Sequence, residues 1–112
     1  MSKIRTLPEL GRIVEVTRGR DRGTVCVVVG HETDRFVYVA DGHVRKMERP
    51  KRKNLLHIRA TPHLAHEVLA ELRTHGKVTN AILRHVLRLY QGASDGTEAQ
   101  IRVEGGVSNG EG

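Results

Sequence analysis

Residues 11–29 read GRIVEVTRGRDRGTVCVVV, two short apolar runs joined by a turn in which arginine alternates with glycine. Val14 and Val16 fall on one face of the first run and Glu15 on the other, the alternation expected of a strand. The second run is apolar at every position from Val25 to Val29, as in a central strand covered on both sides. Gly19 and Gly23 give the turn the backbone freedom of a tight tip. Arg18, Arg20 and Arg22 place three guanidinium forks on that tip, each matched in shape to a pair of phosphate oxygens. The stretch therefore predicts a β-hairpin that presents cations.

Outward from this hairpin the pattern stays β. Residues 12–17, 24–30, 36–40, 43–47 and 53–58 read as five short strands. Residues 31–35 (HETDR) make a polar turn, and Asp41-Gly42 is a two-residue hairpin signal. Five short strands with tight turns predict a small closed barrel, since closure protects strand edges. Residues 1–10 read as an irregular arm, because Pro8 discourages regular structure before Gly11.

The strand, arginine-bearing turn and glycine opening a second strand resemble the KOW motif of ribosomal proteins and transcription elongation factors. The likeness continues through residues 36–42 (FVYVADG) and 49–57 (RPKRKNLLH), and covers residues 10–60, about half the chain. Those later blocks are similar to KOW-class large-subunit ribosomal proteins of archaea and eukaryotes and to small bacterial KOW-domain RNA-binding proteins. The resemblance implies a small five-stranded SH3-like β-barrel with ribosomal RNA as its partner. The chain lacks the long extensions typical of many ribosomal members.

From Pro62 the period changes. Thr61 is placed to cap a helix with Pro62 in its first turn. Leu64, Val68 and Leu72 recur every four residues, Leu69 widens the stripe, and Gly76 ends it. Thr79 offers a second cap before the apolar face of Ile82, Leu83, Val86, Leu87 and Tyr90. The fold class expected is mainly β with a C-terminal helical hairpin. The organisation is an arm at 1–10, a barrel at 11–60, a helical hairpin at 61–91 and a glycine-rich disordered tail at 92–112. A short added strand at 100–104 is the alternative for part of that tail. A helix pair this small cannot bury both stripes alone, so it packs on the barrel, on a second copy or on another protein.

The chain has 112 residues and a formal net charge of +6, and the excess is unevenly placed. Residues 1–60 hold 14 Lys/Arg against 7 Asp/Glu, whereas residues 61–112 hold 5 against 6. The barrel half is thus the one suited to a polyanion. A single cysteine, Cys26, excludes an intramolecular disulfide and fits a reducing compartment; its apolar setting makes it a buried structural thiol. No segment reads as a signal peptide or a membrane span, so the expected location is cytoplasmic.

The densest charge lies in residues 45–53 (RKMERPKRK), where Arg45, Lys46, Arg49, Lys51, Arg52 and Lys53 face one acid, Glu48. Pro50 prevents a continuous helix and keeps the segment extended. With the hairpin tip (Arg18, Gly19, Arg20, Arg22, Gly23) this run makes two arms able to grip an RNA backbone. Asn54 and His57 read either as base-edge contacts or as a turn residue and a half-buried strand histidine. Phe36, Tyr38 and Tyr90 are the only aromatics, too few for a stacking platform and better suited to packing. Shape and phosphate position on folded RNA are therefore the expected mode of recognition.

His63 and His66 would share a helix face, but no second cysteine, HExxH or local carboxylate completes a metal set. No nucleophile elbow, phosphate loop with lysine or carboxylate pair points to catalysis. The sequence thus predicts an RNA-binding protein of the ribosome or its surroundings, without enzyme activity or cofactor. The alternative is a protein-interaction module of the transcription or translation machinery, with the helical hairpin docking a ribosomal or polymerase partner.

Overall fold

The computed structural model describes residues 7–92. Five strands, β1 (Arg12–Val16), β2 (Val25–His31), β3 (Phe36–Ala40), β4 (Lys51–Asn54) and β5 (Ile58–Leu64), form one antiparallel sheet in the order β4-β3-β2-β1-β5. The sheet is open, with β4 and β5 as its edges. A single 3₁₀ turn, Leu55–His57, links β4 to β5. Two helices follow, α1 (His66–His75) and α2 (Asn80–Gly92).

Strict alternation along β1, β2 and β3 gives the sheet two buried faces. Ile13, Val27, Val29 and Ala40 point to one face, which is covered by Ala65, Val68, Leu72, Val78, Leu83, Val86 and Leu87 of the helical segment. Val14, Val16, Cys26, Val28, Val37 and Val39 point to the other, flanked by Leu7, Leu10, Leu55 and Ile58. The unbroken apolar run of β2 is explained by this double covering. Removing a fully buried valine or leucine side chain from water stabilises the fold by about 1.5–3 kcal/mol, so the helix layer is a major share of the core. The helical hairpin expected from the sequence is present, and its apolar stripes pack on the sheet.

Three local expectations are corrected. Residues 43–47 are not a strand. Asp41 Oδ1 accepts from the backbone N–H groups of His43 and Arg45, both at 2.8 Å, and this folds 41–45 into a compact loop. Asp41-Gly42 therefore opens a ten-residue connection, 41–50, and is not a two-residue hairpin turn.

Residues 53–58 are likewise divided rather than one strand. Asn54 Oδ1 accepts from the Leu56 N–H at 2.8 Å, capping the 3₁₀ turn that ends β4. The chain then restarts as β5.

Thr61 and Pro62 do not open a helix, because β5 runs on to Leu64. Thr61 is buried and donates its hydroxyl to the Ile13 carbonyl at 2.7 Å, where the β1–β5 register slips. The Ala65 N–H then bonds the Gly11 carbonyl at 2.8 Å, holding the chain against β1 until α1 begins at His66.

The other helix boundaries fall where their residues predict. Gly76 closes α1 at φ +77° with its N–H on the Leu72 carbonyl. Thr79 Oγ1 accepts from the Ile82 N–H at 3.2 Å at the start of α2. The tail at 93–112 and residues 1–6 of the arm lie outside the described residues. Among the described residues, no helix is long and apolar enough to cross a membrane.

Candidate nucleic-acid interface

The β1–β2 tip is a rigid turn. Gly23 N–H bonds the Val16 carbonyl at 2.8 Å, Arg22 N–H the Gly19 carbonyl at 3.1 Å, and Thr24 N–H and Oγ1–H both reach the Asp21 carbonyl. Gly19 and Gly23 sit at φ +89° and +92°, a conformation that strains other residues. Arg18, Arg20 and Arg22 project from this frame and are exposed. Thr17 N–H also bonds the His57 carbonyl at 2.8 Å, so the tip is anchored to the segment that follows β4.

Asp21, enclosed by those arginines in sequence, joins the two basic arms. Its Oδ2 accepts from Arg45 Nη2 at 3.3 Å and lies 3.5 Å from Lys53 Nζ. Burial alone would raise the Asp21 pKa, but the hydrogen bond and charge of Arg45, and then Lys53, hold it below the ordinary carboxylate value. Arg45 and Lys53 thereby bring the second arm beside the hairpin tip.

The basic run does not act as one stripe. Lys51 and Lys53 stand opposite Val39 and Val37, on the sheet face away from the helices. Lys53 is nearly enclosed there, its side chain 11 % exposed. Arg52 points to the opposite face, where it lies 3.7 Å over the Phe36 ring and pairs with Glu32. Phe36 is therefore a platform for arginine rather than only core packing, whereas Tyr38 packs against the helix-side core. Asn54 spends its side-chain oxygen on the cap, and His57 is half-buried in the 3₁₀ turn. Lys46 and Arg49 are exposed on the 41–50 loop. Of the two basic arms, Arg18, Arg20, Arg22, Lys46, Arg49 and Lys51 form no salt bridge among the described residues, and these are the cations with capacity for an outside anion.

Helix α2 sets the position of the loop. Asn80 Oδ1 accepts from the Met47 N–H at 2.7 Å while its Nδ2 donates to Glu48 Oε1 at 3.0 Å. That hydrogen bond, first among the causes, keeps Glu48 below its ordinary value. Arg84 Nη1 donates to the Gly42 carbonyl at 2.7 Å. Sequence reasoning does not mark Asp21, Asp41, Asn80 or Arg84 as site residues. An acid inside an arginine run and an Asp-Gly pair are the available signals for the first two; the helix residues carry none.

Between the tip, the 41–50 loop and β4 lies a cavity of about 160 Å³. Val16, Cys26 and Val39 form its floor, and Arg20, Asp21, Asp41, Val44, Arg45, Lys51 and Lys53 line its walls and mouth. Burial pushes the Cys26 thiol up to about 12, with the Asp41 and Asp21 charges adding to the shift.

The histidine pair expected on one helix face does not share a helix: His63 lies in β5, edge-on to Tyr90 at 4.9 Å, and His66 opens α1. Among the described residues, no group of three or more His, Cys, Asp or Glu gathers around a common metal position. No protein-family model and no curated protein matches this chain.

Proposed function

We propose that this chain is a cytoplasmic RNA-binding protein, ribosome-associated, that holds ribosomal or other structured RNA by its phosphates. The observation that carries the reading is the Asp21 tie, which fixes the hairpin tip beside the loop-and-β4 arm. Arg18, Arg20 and Arg22 hold one stretch of backbone; Lys46, Arg49 and Lys51 hold another. Arg45 and Lys53 orient the second arm, and Arg52 is an arginine in reserve, held by Glu32 and Phe36.

The resemblance to KOW proteins supports the same reading. So does the strand order, a four-strand meander whose fifth strand returns beside the first, as an SH3-like barrel requires. The alternative of a protein-docking helical hairpin is weakened, because Val68, Leu72, Leu83, Val86 and Leu87 are spent on the chain's own sheet.

The decisive experiment is crosslinking in cells followed by sequencing of the attached RNA. Recovery of one rRNA helix supports the proposal. Complexes that survive nuclease and show weak salt dependence overturn it in favour of a protein partner. Each phosphate neutralised adds roughly 0.7–0.9 to the slope of log affinity on log salt, so about five such phosphates give a slope near −4.

A further inference from the structure

We infer that the cavity beneath the hairpin tip is a slot for a single unstacked nucleobase of the bound RNA. The inference rests on the RNA-binding reading and names the part of the ligand that enters the protein. Three properties of the slot converge on this ligand.

Its size is the first. At about 160 Å³ it is well below the roughly 300–1,000 Å³ of drug-sized ligand or cofactor sites, and it has room for one ring system rather than a whole nucleotide cofactor. The second is its layering. Val16, Cys26 and Val39 close its floor, each at most 3 % exposed, and the apolar contact open to a flat ring is Val44, which a lone phosphate would not use. The mouth carries Arg20 and Lys51, cations placed for the phosphates on either side of a base that has left its stack.

The third is the presence of both acceptors and donors on the wall. Asp21 and Asp41 are carboxylates beside Arg45 and Lys53, so a base edge with mixed donors and acceptors meets partners of both kinds. Among the described residues, Arg45 Nε is the buried side-chain nitrogen without a hydrogen-bond partner. Val44, 69 % exposed, stands at the same mouth as an apolar edge for the incoming ring.

The test uses the full chain and two RNA hairpins of the same stem, one fully paired and one with a single bulged 2-aminopurine. The bulged hairpin is expected to bind about three- to tenfold tighter, the range of one well-made hydrogen bond in free energy. Its 2-aminopurine emission is expected to change on binding. Val44→Trp, which fills the mouth from an exposed position, is expected to abolish the difference in affinity between the bulged and the paired hairpin. Val44→Gln gives the same loss by removing the apolar edge, without adding charge, if the indole distorts the loop. Equal affinities of the wild type for the two hairpins overturn the slot while leaving RNA binding intact. A bulge preference that survives both Val44 variants also overturns it, because the base then sits elsewhere. Failure to bind either hairpin removes the RNA reading itself.

Discussion

Asp21 Oδ2 lies 3.5 Å from Lys53 Nζ, joining a hairpin tip to an edge strand far along the chain, and the same oxygen accepts from Arg45 Nη2. A carboxylate among arginines lowers the net charge offered to an anion. Its return is geometric: it fixes where two arms stand. Replacing Asp21 with Asn keeps the size and removes the charge. D21N is expected to cost about 1 kcal/mol of stability at neutral pH, the scale of a partly exposed ion pair.

The pH dependence of that loss has a definite sign. The folded pKa of Asp21 is lowered, so its contribution is complete above the unfolded value and disappears as pH falls through the folded value. Denaturant titrations of wild type and D21N should therefore differ at neutral pH and converge on acidification below about pH 4, the ordinary aspartate value. A constant difference across that range would show that the charge is not what matters.

Arg18, Arg20 and Arg22 are exposed and make no ion pair among the described residues. Changing all three to Ala should leave the melting temperature nearly unchanged. RNA affinity should fall across sequences, and the salt slope should flatten by about 0.7–0.9 for each phosphate no longer neutralised. Undiminished affinity removes the hairpin tip from the interface.

Gly42 and Asn80 test the coupling of α2 to the loop. A Cβ on Gly42 would come within 2.4 Å of the Asn80 carbonyl oxygen, and the residue sits at φ +79°. Gly42→Ala is expected to cost about 1–3 kcal/mol from combined clash and backbone strain. Asn80→Ala leaves the Met47 N–H without its acceptor and is expected to cost about 1–3 kcal/mol. Urea denaturation measures both. If the loop is the second arm, both variants should also weaken RNA binding while Arg18, Arg20 and Arg22 are intact.

Cys26 is 3 % exposed with its thiol pushed up to about 12. The reactive species is the thiolate, which is scarce at neutral pH. A thiol-specific reagent such as DTNB should label the native chain far more slowly than the urea-unfolded one. Fast native labelling would mean that the cavity floor opens.

The sheet was legible where periodicity was clean. Val14 and Val16 against Glu15, and the unbroken run of β2, specify two-sided burial, and the structure supplies both layers. The helix boundaries at Gly76 and Thr79 were equally clear, because each signal is a local hydrogen bond or a local φ. What failed turned on particular hydrogen bonds, local at Asp41 and Asn54 and distant in sequence elsewhere. Asp41-Gly42 has the composition of a tight turn, yet Arg84 and Asn80 of α2 hold the segment as a loop. Thr61-Pro62 has the composition of a helix start, yet Thr61 is taken by Ile13 and Ala65 by Gly11 across the sheet.

The candidate site shows the same division. Its cations were countable in the sequence, but their directions were not. Alternation along β4 sends Lys51 and Lys53 to one face and Arg52 to the other, and the boundary between strand and loop decides which is which. In the sequence Asp21 is only a charge to subtract. Its role as the tie emerges once Arg45 and Lys53 are seen beside it.

Among the described residues, strand β4 has no strand on its outer flank, and three of its four residues are Lys51, Arg52 and Lys53. Like charges brought side by side repel, so two copies of this strand are poor templates for each other. Pro62 blunts the opposite flank by withholding an amide proton. A bound polyanion that screened the lysines would weaken the first of these guards against self-association and leave the second in place.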